Sequence, residues 1–196
     1  SSNATLTPSP AIPPSQSPPS AATGEASASQ PKPELALDMT AAIGRLPREA
    51  ARDRAALTAF YEERQGAPNW IDVNGRTAKA REILDELRRA GDWGLDAEAF
   101  DVSAEHNASQ LSVAPETLAN QEAEISAAIL KYARHARGGR AEPTALTKFI
   151  DRRAPVYDSK SVLQQIAKAT DPADYLRDLH PQHPQFERLR QKYVAM

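Results

Sequence analysis

The sequence contains no cysteine. That excludes disulfides, thiolate zinc sites, iron–sulfur clusters and cysteine nucleophiles from this chain. It has no run of eighteen apolar residues either, so no segment reads as a membrane-spanning helix, and direct insertion into a membrane is not expected. The first residues lack the charged-then-apolar layout of a signal peptide, and the expectation is that any secretion signal has been removed. Charge of one sign is missing too. The 24 Lys and Arg against 26 Asp and Glu leave a net charge of −2, which gives no overall electrostatic case for a nucleic-acid partner. Aromatic residues are scarce at 6%. Neither an HExxH nor a GxSxG motif occurs, and Gly138-Gly139 is too short a glycine signal for a phosphate loop.

Proline, by contrast, is plentiful, and its placement divides the chain. Eight of the 16 prolines fall within residues 1–33, beside eight serines, with only Leu6 and Ile12 as large apolar residues. Such a stretch cannot bury enough surface to offset its ordering entropy, so 1–33 reads as a disordered Pro/Ser/Ala linker. As a flexible coil it would span roughly 30 Å, and more where proline stiffens it, which suits a tether between an anchor and a folded body. Ser2-Asn3-Ala4 resembles a cloning scar. Residues 34–196 are long enough to bury roughly 70% of their unfolded surface around one core.

That body reads as helices separated by proline and glycine. Leu35, Met39, Ala42, Ile43 and Leu46 predict a helix near 36–45. A second, 47–65, follows Pro47 with Leu57, Phe60 and Tyr61 inward, and Gly66 and Pro68 end it. After a turn at Asn74-Gly75, Thr77 can cap a helix striped with Ala80, Ile83, Leu84 and Leu87 and closed by Gly91. Asp96 can cap one short turn through Phe100, and 101–114 reads as a polar loop. A helix over 115–137 carries Leu118, Ile125, Ile129, Tyr132 and Ala136 on one face. Pro143 and Asp171-Pro172 mark further helix starts, the second with Asp174 in its first turn, and Leu163 and Ile166 belong to a helix between them. His183-Pro184 opens the last helix, with Phe186, Leu189 and Tyr193 inward. Pro155 with Val156-Tyr157 could form a short extended piece, but no sheet is expected. The predicted class is all-α, a compact multi-helix domain with antiparallel neighbours.

Converging chemistry is hard to find. His106 lies in the polar loop and His135 on a helix, while His180 and His183 flank Pro181 at a spacing that fits helix punctuation better than a shared metal. The acid pairs Glu62-Glu63 and Asp85-Glu86 sit among arginines and read as solvated faces. No catalytic, cofactor-binding or metal-binding residue is therefore assigned. Charge order is more informative. Between Asp92 and Leu130 there are eight acidic residues and no Lys or Arg, whereas 131–153 holds seven basic residues against Glu142 and Asp151. Lys131, Arg134 and Arg137 lie near one helical face, with Arg140 following, and they meet acids inside the domain, simply face solvent, or form an anion-binding patch. Trp70 and Trp93 each follow a helix end, where a tryptophan seals a small core or offers a contact platform. The candidate interaction surface is thus Trp70, Trp93, Lys131, Arg134, Arg137 and Arg140.

These landmarks resemble a known family. In residues 57–102, Phe60-Tyr61 precedes a Pro-x-Trp turn at 68–70, a Gly-x-Thr helix start at 75–77, and Gly94-Leu95-Asp96 with Phe100. Together with KYARHARGGRAEP at 131–143 and YLRDLHPQHPQFERLRQKY at 175–193, this is similar to the N-terminal scaffold region of the large periplasmic murein L,D-transpeptidases of Gram-negative bacteria. The resemblance covers roughly residues 40–196. It implies a tethered periplasmic enzyme that joins peptidoglycan stem peptides between diaminopimelate residues, using a cysteine in a separate downstream domain. With zero cysteines, the present chain would be the noncatalytic part, needing no cofactor. Its implied partners are the downstream catalytic and peptidoglycan-binding domains, and peptidoglycan itself. The alternative is a freestanding periplasmic module that binds peptidoglycan or protein. If a downstream segment completes the scaffold, the chain should expose an apolar patch beyond a few hundred Å², or bury it in a homodimer.

Overall fold

Asp38, Thr77, Asp158, Asp171 and His183 each stand one residue before a helix, and each side chain accepts a hydrogen bond from a backbone N–H of the first turn. Such capping satisfies donors that the helix itself leaves open, and it fixes where the helices begin. The structure, a computed structural model, describes residues 35–102, 114–137 and 158–196. The tail 1–33, His106, Gly138-Gly139, Arg140, the helix start at Pro143 and the piece at Pro155–Tyr157 lie outside the described residues.

Seven α-helices occur among the described residues: α1 (Met39–Arg45), α2 (Arg54–Glu63), α3 (Ala78–Arg88), α4 (Pro115–Ala136), α5 (Ser159–Lys168), α6 (Pro172–Asp178) and α7 (Pro184–Val194). Short 3₁₀ helices cover Arg48–Asp53, Arg89–Trp93 and Ala97–Phe100. The expected all-α class holds, with one small addition. The Asn74-Gly75 turn closes a two-stranded hairpin, β1 (Ile71–Asp72) with β2 (Gly75–Arg76), paired Ile71 to Arg76 and Asp72 to Gly75. Asp72 Oδ1 holds the turn by accepting from Asn74 N at 2.7 Å, and Gly75 takes φ 106°, a region open to glycine. Strands of two residues leave no periodic signal in a sequence.

The core is organised around α4, which packs against α1, α2, α3, α5 and β1. Twelve of its 22 residues are buried, five of them alanines, whose small side chains let the surrounding helices approach closely. Around it lie Leu57, Phe60 and Tyr61 of α2, Ile83, Leu84 and Leu87 of α3, and Leu163 and Ile166 of α5, all buried as their spacing predicts. Lys79 ties α3 to the end of α5 by donating to Ala167 O at 2.9 Å and Ala169 O at 2.7 Å, where a cation suits a helix C-terminus.

Several expected boundaries move for identifiable reasons. α1 starts at Met39, three residues later than predicted, because Asp38 accepts from Ala41 N at 3.0 Å and so caps there. The single helix expected over 47–65 is a 3₁₀ turn followed by α2. The junction falls at buried Asp53, held by Arg134 and Ser159, beside Arg54, whose guanidinium donates back to Leu46 O. Gly94, not Gly91, ends the region after α3: its φ of 74° lets Leu95 N reach Ala90 O. The largest correction concerns α7. No residue of it is buried, and Leu189 and Tyr193, expected inward, are 68% and 59% exposed. Among the described residues it packs against the 3₁₀ helix Arg89–Trp93, where Arg190 reaches Asp92 and Trp93.

Candidate functional site

On α4, Glu122 and Ser126 lie one turn apart among Leu118, Ile125 and Ile129, so the helix carries two polar groups on its apolar face. Both are fully buried and point at the turn that follows α2. Glu122 Oε1 accepts from Tyr61 Oη at 2.7 Å and Asn69 N at 2.7 Å, and its Oε2 accepts from Trp70 N at 2.9 Å and Ile71 N at 3.0 Å. Ser126 Oγ accepts from Trp70 Nε1 at 2.7 Å and lies 2.7 Å from Tyr61 Oη. The directions follow from proton counting. Tyr61 has one hydrogen and gives it to the carboxylate, so Ser126 donates to Tyr61, and a relay runs from Trp70 through Ser126 and Tyr61 to Glu122.

Burial pushes the Glu122 carboxyl up to about 7, against the opposing pull of the Asn69, Tyr61, Trp70 and Ile71 donors. Burial, reinforced by the Glu122 charge, raises the Tyr61 phenol well above its ordinary range, keeping it a donor. A shifted carboxyl of this kind often marks a catalytic site. Here both carboxylate oxygens are filled by the protein's own donors and the residue has no exposed surface. Glu122 is a clamp that holds the 69–71 backbone against α4. Trp70 is correspondingly 0% exposed, which removes it from the candidate interaction surface and makes it a core residue.

A second cluster surrounds Trp93. Its indole Nε1 donates to Glu86 Oε1 at 3.2 Å, and Arg177 Nε donates to Glu86 Oε2 at 3.1 Å. Glu86, expected on a solvated face, is 4% exposed and bridges α3, α6 and Trp93. His180 stacks on the Trp93 ring at 4.3 Å, and the Arg190 guanidinium lies 4.7 Å from the ring centroid. Half-buried Trp93 is therefore engaged within the domain. His180 Nε2 lies 2.7 Å from Tyr132 Oη. Burial, with a smaller contribution from Arg190, lowers the imidazole to about 4, so the ring is neutral near pH 7 and shares one hydrogen bond with the phenol. His183 is the cap of α7 and its Nδ1 accepts from Gln185 N, so the two histidines flanking Pro181 have separate structural uses. Among the described residues no group of His, Asp and Glu could hold a metal ion.

The α4 cations are placed among acids. Arg134 donates to buried Asp53 at 2.8 Å. Together with Lys131 it lines a cleft of about 250 Å³ that also presents Glu49, Asp53, Asp101 and Glu124. Exposed Arg137 borders a different recess with Asp158 and Asp178. An anion approaching Lys131, Arg134 or Arg137 meets carboxylates in the same recess, which for these three residues favours a paired or solvated face over an anion-binding patch. Among the described residues the least covered helix is α7, where Leu189, Tyr193 and Val194 are exposed, with Met196 just past its end. Sequence reasoning missed Glu122, Ser126, Glu86 and Tyr132 as polar anchors. The available signal was a carboxylate and a hydroxyl in an otherwise apolar helical stripe.

A family model described as a scaffold domain matches residues 55–192. The chain belongs to that family. The match begins in α2 and ends in α7, so it contains both polar anchors, the whole of α4 and α7 as far as Lys192. No curated protein and no solved structure matches the chain. For this scaffold domain the landmarks Phe60, Tyr61, Trp70 and Gly94 thus have structural roles: two core aromatics, a clamped indole and a left-handed cap.

Proposed function

We propose that the chain is the noncatalytic helical scaffold of a peptidoglycan L,D-transpeptidase and supports a cysteine-bearing catalytic domain that this sequence does not contain. The observation that carries this reading is the coincidence of family membership with landmark residues that serve architecture. The Phe-Tyr, Pro-x-Trp and Gly-Leu-Asp motifs, which resemble those of the transpeptidase scaffolds, build a core and leave α7 as the face able to meet another domain. In this reading the protein works in the periplasm, and the Pro/Ser tail spaces it from an N-terminal anchor. Its partners are the catalytic and peptidoglycan-binding domains of the same polypeptide.

The encoding reading frame provides the test. It should continue into a domain with a Ser-x-Gly-Cys nucleophile motif, and a frame that carries no such domain contradicts the proposal. The alternative, a freestanding wall-binding module, depends on the basic run, whose described members Lys131, Arg134 and Arg137 all lie beside acidic side chains.

A further inference from the structure

α7 is a helix of 11 residues with no buried side chain. A helix this short is marginal in water unless an apolar face packs against something. Phe186, Leu189 and Tyr193 of α7, and Met196 just past its end, recur at steps of three and four, the spacing of a helix–helix seam. The seam is satisfied only at its start. Phe186 stacks near His180, with ring centroids 6.3 Å apart, and is half-buried. Leu189, Tyr193 and Met196 then run outward at 68%, 59% and 104% exposure, so the seam continues an existing internal contact onto an open surface.

The charges bordering the seam indicate what fits there. On the inner edge Arg190 is committed, donating to Glu187 and lying over Trp93. On the open edge Arg188 and Lys192, one turn apart, are exposed and have no acidic partner among the described residues. We infer that this face docks an acidic amphipathic helix of the further domain that the scaffold holds, with apolar side chains along Leu189, Tyr193 and Met196 and carboxylates opposite Arg188 and Lys192. A second copy of the chain fits less well, because antiparallel pairing of two α7 helices sets one basic edge against another. The inference extends the scaffold reading by giving the chemistry of what the scaffold holds.

The experiment uses the full chain and a labelled synthetic amphipathic helix with leucine along its seam and glutamate on its flanks. A twin with lysine flanks serves as comparison, and fluorescence anisotropy is the readout. The acidic helix should bind about tenfold tighter than the basic one. Arg188→Glu with Lys192→Glu should invert that order. Leu189→Ser should abolish binding without moving the melting temperature, since the side chain is exposed. Four results would overturn the inference: equal affinity for the two helices, an order unchanged by charge reversal, self-association through the seam in sedimentation equilibrium, or Leu189-dependent binding to phosphatidylglycerol vesicles. Failure here leaves the reading-frame test of the transpeptidase assignment intact, and the converse also holds.

Discussion

Glu122 shows how one side chain fixes a connection that has almost no regular structure. Gln at this position keeps the shape but turns an NH₂ toward the Asn69 N–H, leaving that donor unpaired, so Glu122→Gln should cost about 1–3 kcal/mol in denaturant unfolding. It should also change the pH profile. The Glu122 pKa is raised on folding, so its contribution is fully present below the usual carboxyl value near 4.5 and is lost as pH climbs toward about 7. His180 acts in the opposite sense. Its pKa is depressed from 6.5 to about 4, so its contribution is present above 6.5 and is lost as pH falls toward 4. The two slopes oppose each other in the wild type. In Glu122→Gln, stability across this window should rise more steeply with pH than in the wild type, because the opposing Glu122 slope is gone; a profile unchanged from wild type would remove Glu122 as a titrating group. Neither residue was legible in the sequence as an anchor, because a single carboxylate in an apolar stripe gains its meaning only from Tyr61 and the 69–71 backbone, about 50 to 60 positions away.

At the scale of elements, the helices were readable because they carry their own apolar period, and five of the seven described α-helices carry a side-chain cap as well. Thr77, Asp158 and Asp171 stop water from competing for the first-turn donors, and the Ile83–Leu87 and Leu163–Ile166 stripes point inward as expected. One error arose where a tertiary contact overrode the local pattern, at Asp53, where Arg134 and Ser159 draw the chain into a 3₁₀ turn; the other is on α7, whose amphipathic pattern buries no side chain. Two glycines allow the connection between elements to be tested. Gly66, after α2, has φ 77°, and a Cβ there would stand 2.6 Å from the Leu37 carbonyl oxygen, on a segment tied back by Leu37 N to Gly66 O at 3.0 Å. Gly66→Ala should destabilise the domain by roughly 2 kcal/mol or more. Gly44, inside α1 with open space around its Cβ direction, should respond in reverse, Gly44→Ala stabilising by about 0.5–1 kcal/mol. Thermal unfolding of the pair checks both, and equal shifts would contradict this account of the α2 end.

For the molecule as a whole, the landmarks Phe60, Tyr61, Trp70 and Gly94 are spent on holding helices together, and among the described residues α7 is the helix that buries no side chain. That distribution suits a domain whose work is to position something else. The absence of cysteine sharpens the point, because a transpeptidase of the resembled type acts through a cysteine. The most direct measurement is mass-spectrometric analysis of muropeptides from sacculi incubated with this chain alone, or with the same scaffold continuous with the cysteine-bearing domain that its reading frame is proposed to encode. The account predicts new diaminopimelate–diaminopimelate cross-links only from the continuous polypeptide, reduced when Glu122→Ala loosens the scaffold. Cross-links formed by the chain alone, or none from the continuous polypeptide, would contradict it.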